Sequence, residues 1–219
     1  TVLGWSPFIP GDPDNSSLPV GGLEYVLENT STKPQEMIFS YHARNFLSWG
    51  KGVDAIKVMP HGFVLSQAGT EAEPHLQGDF AIFTDEDSPK INYCWFRGGW
   101  FDSLTMVWNA IESGLMPQSP AVEKGAPGAS IFIPVTLMPG DKKTIRIYTA
   151  WYVPCSTLRI GEEPEDWNDN NVAPATLALE RADQGNYKPW YSSRFAGIDE
   201  VIDYLLTHYK TLREQTEKF

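Results

Sequence analysis

Residues Ala129–Val153 read ASIFIPVTLMPGDKKTIRIYTAWYV. Both limbs, Ala129–Leu137 and Lys143–Val153, are rich in β-branched and aromatic side chains, which fit a pleated surface better than a helix. Between them, Met138-Pro139-Gly140-Asp141 puts Pro and then Gly at the two central positions of a type II turn. The stretch reads as two antiparallel strands joined in a hairpin. Pro134 cannot donate to a ladder, so it marks an edge or a bulge.

Upstream segments carry a period of two. Leu23, Tyr25 and Leu27 alternate with Glu24, Val26 and Glu28, and Met37, Phe39 and Tyr41 share one face of Glu36–Ala43. The turn-forming run Asn29–Pro34 separates these two segments and predicts a second hairpin. Gly62–Gln67, Asp79–Thr84 and Lys90–Phe96 follow as strands between Gly, Pro and acidic turns. About seven short strands at this spacing predict an all-β, antiparallel β-sandwich.

Two helices interrupt the pattern. Phe101–Leu115 sets Leu104, Val107, Trp108 and Ile111 at helical spacing, with Asp102 as N-cap and Gly114 just past the end. The chain then ends on an amphipathic helix whose stripe is Ile198, Val201, Ile202, Leu205, Tyr209 and Leu212. Asp199 and Glu200 stand at its positive end, and Lys210 and Arg213 toward the other. Burying each of those six side chains contributes roughly 1.5–3 kcal/mol, so the stripe demands a surface. It either folds back on the sandwich, anchored by Tyr187–Phe195, or pairs with a second copy. The expected organisation is a sandwich over 1–160, an irregular polar connection over 161–197 and the helix over 198–219.

The N-terminal stretch Gly4–Asn15, GWSPFIPGDPDN, carries Trp5, Phe8 and Ile9 among three prolines. Proline biases the preceding Ser6, Ile9 and Asp12 away from α geometry. An extended apolar segment of this kind needs a partner too, either a sheet edge or another domain.

Composition bounds the function classes. The 219 residues are 42% hydrophobic and 13% aromatic, with 8 Trp, and the net charge is 17 − 28 = −11. No basic stripe exists to release counterions, so nucleic acid is not an expected partner. No apolar run is long enough for a transmembrane helix. No signal peptide is visible, and the chain starts at Thr1 rather than Met, as in a processed or excised form. Cys94 and Cys155 read either as two buried thiols, the preferred reading, or as one bridge.

The usual catalytic signatures are missing, so no catalytic residue, cofactor or metal is assigned. His42, His61, His75 and His208 lack metal-ligand spacing. Carboxylates cluster at Asp12 and Asp14, at Asp85–Asp87 and over Glu162–Asp169. A glycosidase needs two of them held roughly 5–10 Å apart across a cleft. All of these lie in turn-like polar runs, which read as solvated loops; a calcium loop is the weaker reading. Trp49, Trp100, Trp167 and Trp190 fall near Gly, Asn or Pro, outside the strand faces. Exposed aromatics stack on sugar rings, so carbohydrate is a further candidate partner, beside the plainer roles of plugging loops and contacting domains.

The run SPFIPGDPDNSSLPVGGLEYVLENTSTKPQEMIFSYHARN, Ser6–Asn45, resembles the N-terminal domain of glycoside hydrolase family 116, the bacterial β-glucosidases and non-lysosomal glucosylceramidases. KINYCWF (Lys90–Phe96), the Pro-Gly turn with its AWYVP ending, and YSSRF before a helix continue the likeness in order. The resemblance implies a β-sandwich packed on an (α/α)₆ catalytic barrel of the same polypeptide. In the family, the nucleophilic glutamate and the acid/base aspartate lie in that barrel, so neither is carried to a position here. The implied function is a non-catalytic accessory domain of a retaining enzyme, supporting the barrel and shaping its cleft rim. Asn45 and Trp49, in the loop Asn45–Gly52, are the rim candidates. Trp5, Phe8, Ile9 and the helix stripe are candidates for the interdomain seam. A free-standing carbohydrate-binding module and a protein-interaction domain are the alternatives.

Overall fold

The computed structural model describes residues 1–48, 54–157 and 187–219. Trp49, Trp167 and the acidic run 162–169 lie outside them. Nine strands form two antiparallel sheets. The large sheet orders β1 (Val2–Trp5), β2 (Val20–Glu28), β9 (Lys142–Tyr152), β6 (Gly78–Thr84), β5 (Gly62–Gln67) and β4 (Asp54–Met59) side by side. The small sheet orders β3 (Gln35–Arg44), β8 (Gly128–Leu137) and β7 (Lys90–Asn92). The predicted β-sandwich is present. Strands β1 and β4 were not anticipated, and the predicted Lys90–Phe96 strand stops at Asn92.

Alternation builds the core. Ile131, Ile133, Val135 and Leu137 of β8 face Ile145 and Ile147 of β9 and Phe63, Leu65 and Ile82 of the neighbouring strands. Leu23, Tyr25 and Leu27 pack against this layer from β2, as do Met37, Phe39 and Tyr41 from β3.

Neither predicted hairpin exists. β8 pairs with β3 and β9 with β2, in opposite sheets, so both connections are arches that cross the sandwich. The turn itself was read correctly at Pro139-Gly140: Gly140 has φ of 82° and Asp141 N–H donates to Met138 C=O at 3.0 Å. A type II turn lacks the twist of the primed turns that close tight hairpins, and a crossing arch has no need of that twist. Asn29 ties the two arches together. Its buried Nδ2 donates to Lys33 C=O (2.8 Å) and Leu137 C=O (2.9 Å), while its backbone exchanges bonds with Asp141 and Gly140. Asn29→Ala leaves two carbonyls short of a donor, one of them buried. It is expected to lower stability by about 2–3 kcal/mol, read as a shifted denaturant midpoint at unchanged slope.

Among the described residues the helices are α1 (Pro13–Ser16), α2 (Ser103–Glu112), α3 (Tyr191–Arg194) and α4 (Ile198–Glu217), with a 3₁₀ turn at Pro74–Leu76. Asp12 caps α1 by accepting from Asn15 N–H at 3.0 Å, and Pro13 stands in the first turn, where no donor is missed. α4 lies on the outer face of the large sheet as a third layer. Ile198, Val201, Ile202, Leu205 and Leu212 are buried against Val64, Phe83, Tyr148 and Ala150. The stripe therefore folds back, and Tyr187–Phe195 anchors it: Phe195 C=O accepts from Tyr152 Oη at 3.0 Å, and Tyr191 Oη donates to Val153 C=O at 3.2 Å.

At the far end of α4, Tyr209 Oη and Arg213 Nε both donate to Glu24 Oε1, at 2.6 and 3.0 Å. Burial pushes the Glu24 carboxyl up. The two hydrogen bonds and the charges of Arg213 and Arg146 outweigh burial and hold it below its usual range. Tyr209 is pushed up to about 12 by burial and by its bond to Glu24. Among the described residues, no helix is long and apolar enough to cross a membrane.

Candidate functional site

Strand register sorts the connections by end. At one end, 29–34, 60–61, 85–89 and 138–141 are short turns. At the other, β1 runs to β2 through 6–19, β3 to β4 through 45–53, β5 to β6 through 68–77 and β7 to β8 through 93–127. β9 leaves at this end as well. Long connections on a rigid sandwich are where binding surfaces are built, so this end is the candidate site.

Asn45 stands there, immediately after β3. Its backbone is pinned, N–H to Pro127 C=O at 2.8 Å and C=O to Ser48 N–H at 3.4 Å. The residue is 6% exposed, and among the described residues neither Oδ1 nor Nδ2 has a hydrogen-bond partner. A buried amide left unpaired costs on the order of 1–3 kcal/mol, so a partner from outside the domain has much to offer it. Beside it, Phe46 packs edge-on to Phe80 at 5.0 Å, and Phe80 lies parallel to Trp151 at 6.3 Å. Phe80 and Trp151 are register partners on β6 and β9. Phe46 and Trp151 keep exposed surface, so the group forms an open aromatic shelf.

The sequence offers Asn45 as a candidate from its loop and gives no sign of the shelf. Phe80 and Trp151 sit on core-facing positions of their strands, and only their place at the sandwich end leaves them open. Trp49 lies outside the described residues.

The expected seam residues are mostly occupied within the chain. Ile198, Val201, Ile202, Leu205 and Leu212 are buried, Tyr209 is half-buried, and Trp5 and Ile9 pack against the same cluster. Trp5 meets Tyr209 edge-on at 5.4 Å and lies under Arg213. Within the described residues, α4 and the large sheet cover each other. Phe8 remains exposed: its ring meets the terminal Phe219 ring edge-on at 5.0 Å and its backbone N–H donates to Thr216 Oγ1 at 3.2 Å.

The titratable clusters are used structurally. Asp12 takes Asn15 on both oxygens, and those bonds hold its carboxyl below the usual range. Asp85 accepts from Arg146 and Tyr148, both at 3.1 Å, and Glu86 pairs with Lys143 at 2.6 Å. His42 bonds Ser130 and Ser40, at 2.8 and 2.9 Å, a pairing with the outline of a base and its nucleophile. Ser130, however, is wholly buried and also takes the Trp95 indole N–H at 2.8 Å, so no substrate reaches it. Burial lowers the His42 pKa. Cys94 is buried and Cys155 half-buried, and both are free thiols, so the bridge is not formed. Among the described residues, no three His, Cys, Asp or Glu side chains converge for a metal.

A search of curated proteins finds no match to this chain. The family profile described as beta-glucosidase 2, glycosyl-hydrolase family 116 N-term, matches residues 1–212, from the first strand through most of α4. The chain belongs to this family, the N-terminal domain of glycosyl-hydrolase family 116.

Proposed function

We propose that this chain is a non-catalytic accessory domain of a retaining β-glucosidase or glucosylceramidase-like enzyme, turning its long-loop end toward the catalytic barrel. Its family description implies a catalytic domain in the same polypeptide; on this reading that domain's carboxylates perform the hydrolysis. The observation that carries the reading is Asn45, a buried amide without a partner among the described residues, beside an open aromatic shelf. On this reading the Asn45–Gly52 loop stands at the cleft rim, where Asn45 and Trp49 meet the outer part of larger substrates. Phe8, with Phe219, is the seam contact left exposed.

The rim role is tested in the full-length enzyme. Asn45→Ala and Trp49→Ala are expected to raise KM for extended or lipid-linked glucosides more than for a small aryl glucoside, at an unchanged melting temperature. Equal losses on both substrates, tracking a lower melting temperature, would make these residues part of the core and overturn the rim reading. The Phe46–Phe80–Trp151 shelf favours a second reading, a carbohydrate-binding module acting alone. That reading expects calorimetric binding of oligosaccharides to this domain whether or not the barrel is attached.

A further inference from the structure

Helix α2 is seated the wrong way round for a core helix. Leu104, Trp108, Ile111 and Leu115 fall on one face of it and its C-terminal extension, which reads as the apolar stripe that should be buried. The structure buries only Val107, from the adjoining face. Leu104, Trp108 and Leu115 are 54%, 59% and 60% exposed, and Trp100, just before the helix, is 93% exposed. Met106, Val107 and Ala110 turn toward the Trp95–Arg97 segment, Leu104 and Trp108 are exposed, and Ile111 and Leu115 border the small sheet. Open grooves flank it. One, of about 670 Å³, lies between its C-terminal end and the Ile38 and Pro134 side of the small sheet. The other, of about 520 Å³, lies between Met106 and Val107 and the Trp95–Arg97 segment.

We propose that the ridge of Trp100, Phe101, Leu104, Trp108 and Leu115 is the contact surface for the catalytic domain of the same polypeptide. The proposal rests on the accessory-domain reading above and adds a second contact to it. Continuous apolar patches of this kind mark interaction sites, and tryptophans with grooves beside them are the usual energetic anchors. The outer face of the large sheet already has its cover in α4. Among the described residues, the helix beside the outer face of the small sheet is the thinly seated α2.

Charge selects the occupant. Asp102 and Glu112 flank the ridge, with Glu112 accepting from the Trp108 indole N–H at 2.9 Å. A second copy docking across a two-fold axis would set these acids against themselves, in a chain of net charge −11. A ridge with aliphatic members and few polar donors does not suit a sugar, which needs hydrogen bonds as well as a stacking face. A tethered protein domain meets neither objection, and its high effective concentration lets a modest apolar contact hold.

The test places p-benzoylphenylalanine at Trp100 or Trp108 of the full-length enzyme, with Lys33 at the short-turn end as control and Phe46 as a probe of the long-loop end. Light is expected to cross-link the ridge positions, but not position 33, to peptides beyond Phe219 within the same molecule. Cross-linked dimers, or ridge yields no higher than at position 33, would overturn the proposal. Cross-links to the catalytic domain from Phe46 alone would also overturn it, while leaving the accessory-domain reading intact. Failure at both places would sink the two together. As an independent readout, Leu104→Glu combined with Trp108→Glu is expected to split one thermal transition of the full-length enzyme into two. A single unshifted transition counts against the ridge.

Discussion

Replacing Leu205 and Tyr209 together with serine will remove on the order of 5 kcal/mol of stability. Leu205 is fully buried at the centre of α4, packed in the cluster that includes Val64, Phe83 and Tyr148, so truncation empties a cavity that a docked helix cannot easily close. Tyr209 adds two losses. Its ring leaves the edge-on contacts with Trp5 at 5.4 Å and Tyr148 at 5.2 Å, and its hydroxyl leaves Glu24. Glu24 then relies on Arg213, whose side chain is itself largely buried. Since a domain of this size holds about 5–15 kcal/mol in all, the double variant will unfold at much lower denaturant or fail to fold. Chemical denaturation decides it. A midpoint equal to the parent's would mean that α4 is undocked in solution and takes its partner from the barrel.

The same residues show how far the sequence was legible. Local patterns were: alternation marked the core faces of β2 and β3, and the 3.6-residue period marked α4 and its buried side. Pairing was not. Whether Met138–Asp141 closes a hairpin or an arch depends on which strands the two limbs meet, and β2 and β3, far upstream, decide that. The turn chemistry held a clue, because Pro-Gly favours type II rather than the primed turns of tight hairpins.

Helix α2 misled in the opposite direction. Its stripe of Leu104, Trp108 and Ile111 has the period of a buried face, yet the core lies on the Val107 side. Periodicity reports that a face is apolar and is silent on what covers it. At the long-loop end, Asn45 was visible as a polar residue in a loop after a strand. That its amide lacks a partner among the described residues is a property of burial, which no spacing carries.

The largest single-residue effect is expected at Gly62. A Cβ built there would lie 2.2 Å from Ile82 C=O and 2.5–2.6 Å from Phe83 Cβ and Cα, so what it meets is mostly the backbone of the neighbouring strand. At Gly22 the obstacle is the Trp5 indole, a side chain that can turn. Ile82 and Phe83 cannot, because β6 is held between β5 and β9 on both edges. Relief requires β5 to move away from β6 at the Gly62–Phe83 pair, breaking ladder bonds in the middle of the large sheet. Overpacking ordinarily costs about 1–3 kcal/mol, and a clash with fixed backbone belongs above that range. Gly62→Ala should therefore yield little soluble protein, or a denaturant midpoint far below the parent's. Gly99→Ala, where a Cβ meets nothing within 4 Å, should behave as the parent does. The damage also reaches the candidate site. β5 and β6 together hold Phe80, and β4, which begins where the Asn45 loop ends, pairs only with β5. Any Gly62→Ala protein that stays folded in the full-length enzyme should lose activity on extended substrates before small ones. If Gly62→Ala is as stable as Gly99→Ala, the close approach of β5 to β6 drawn here is wrong.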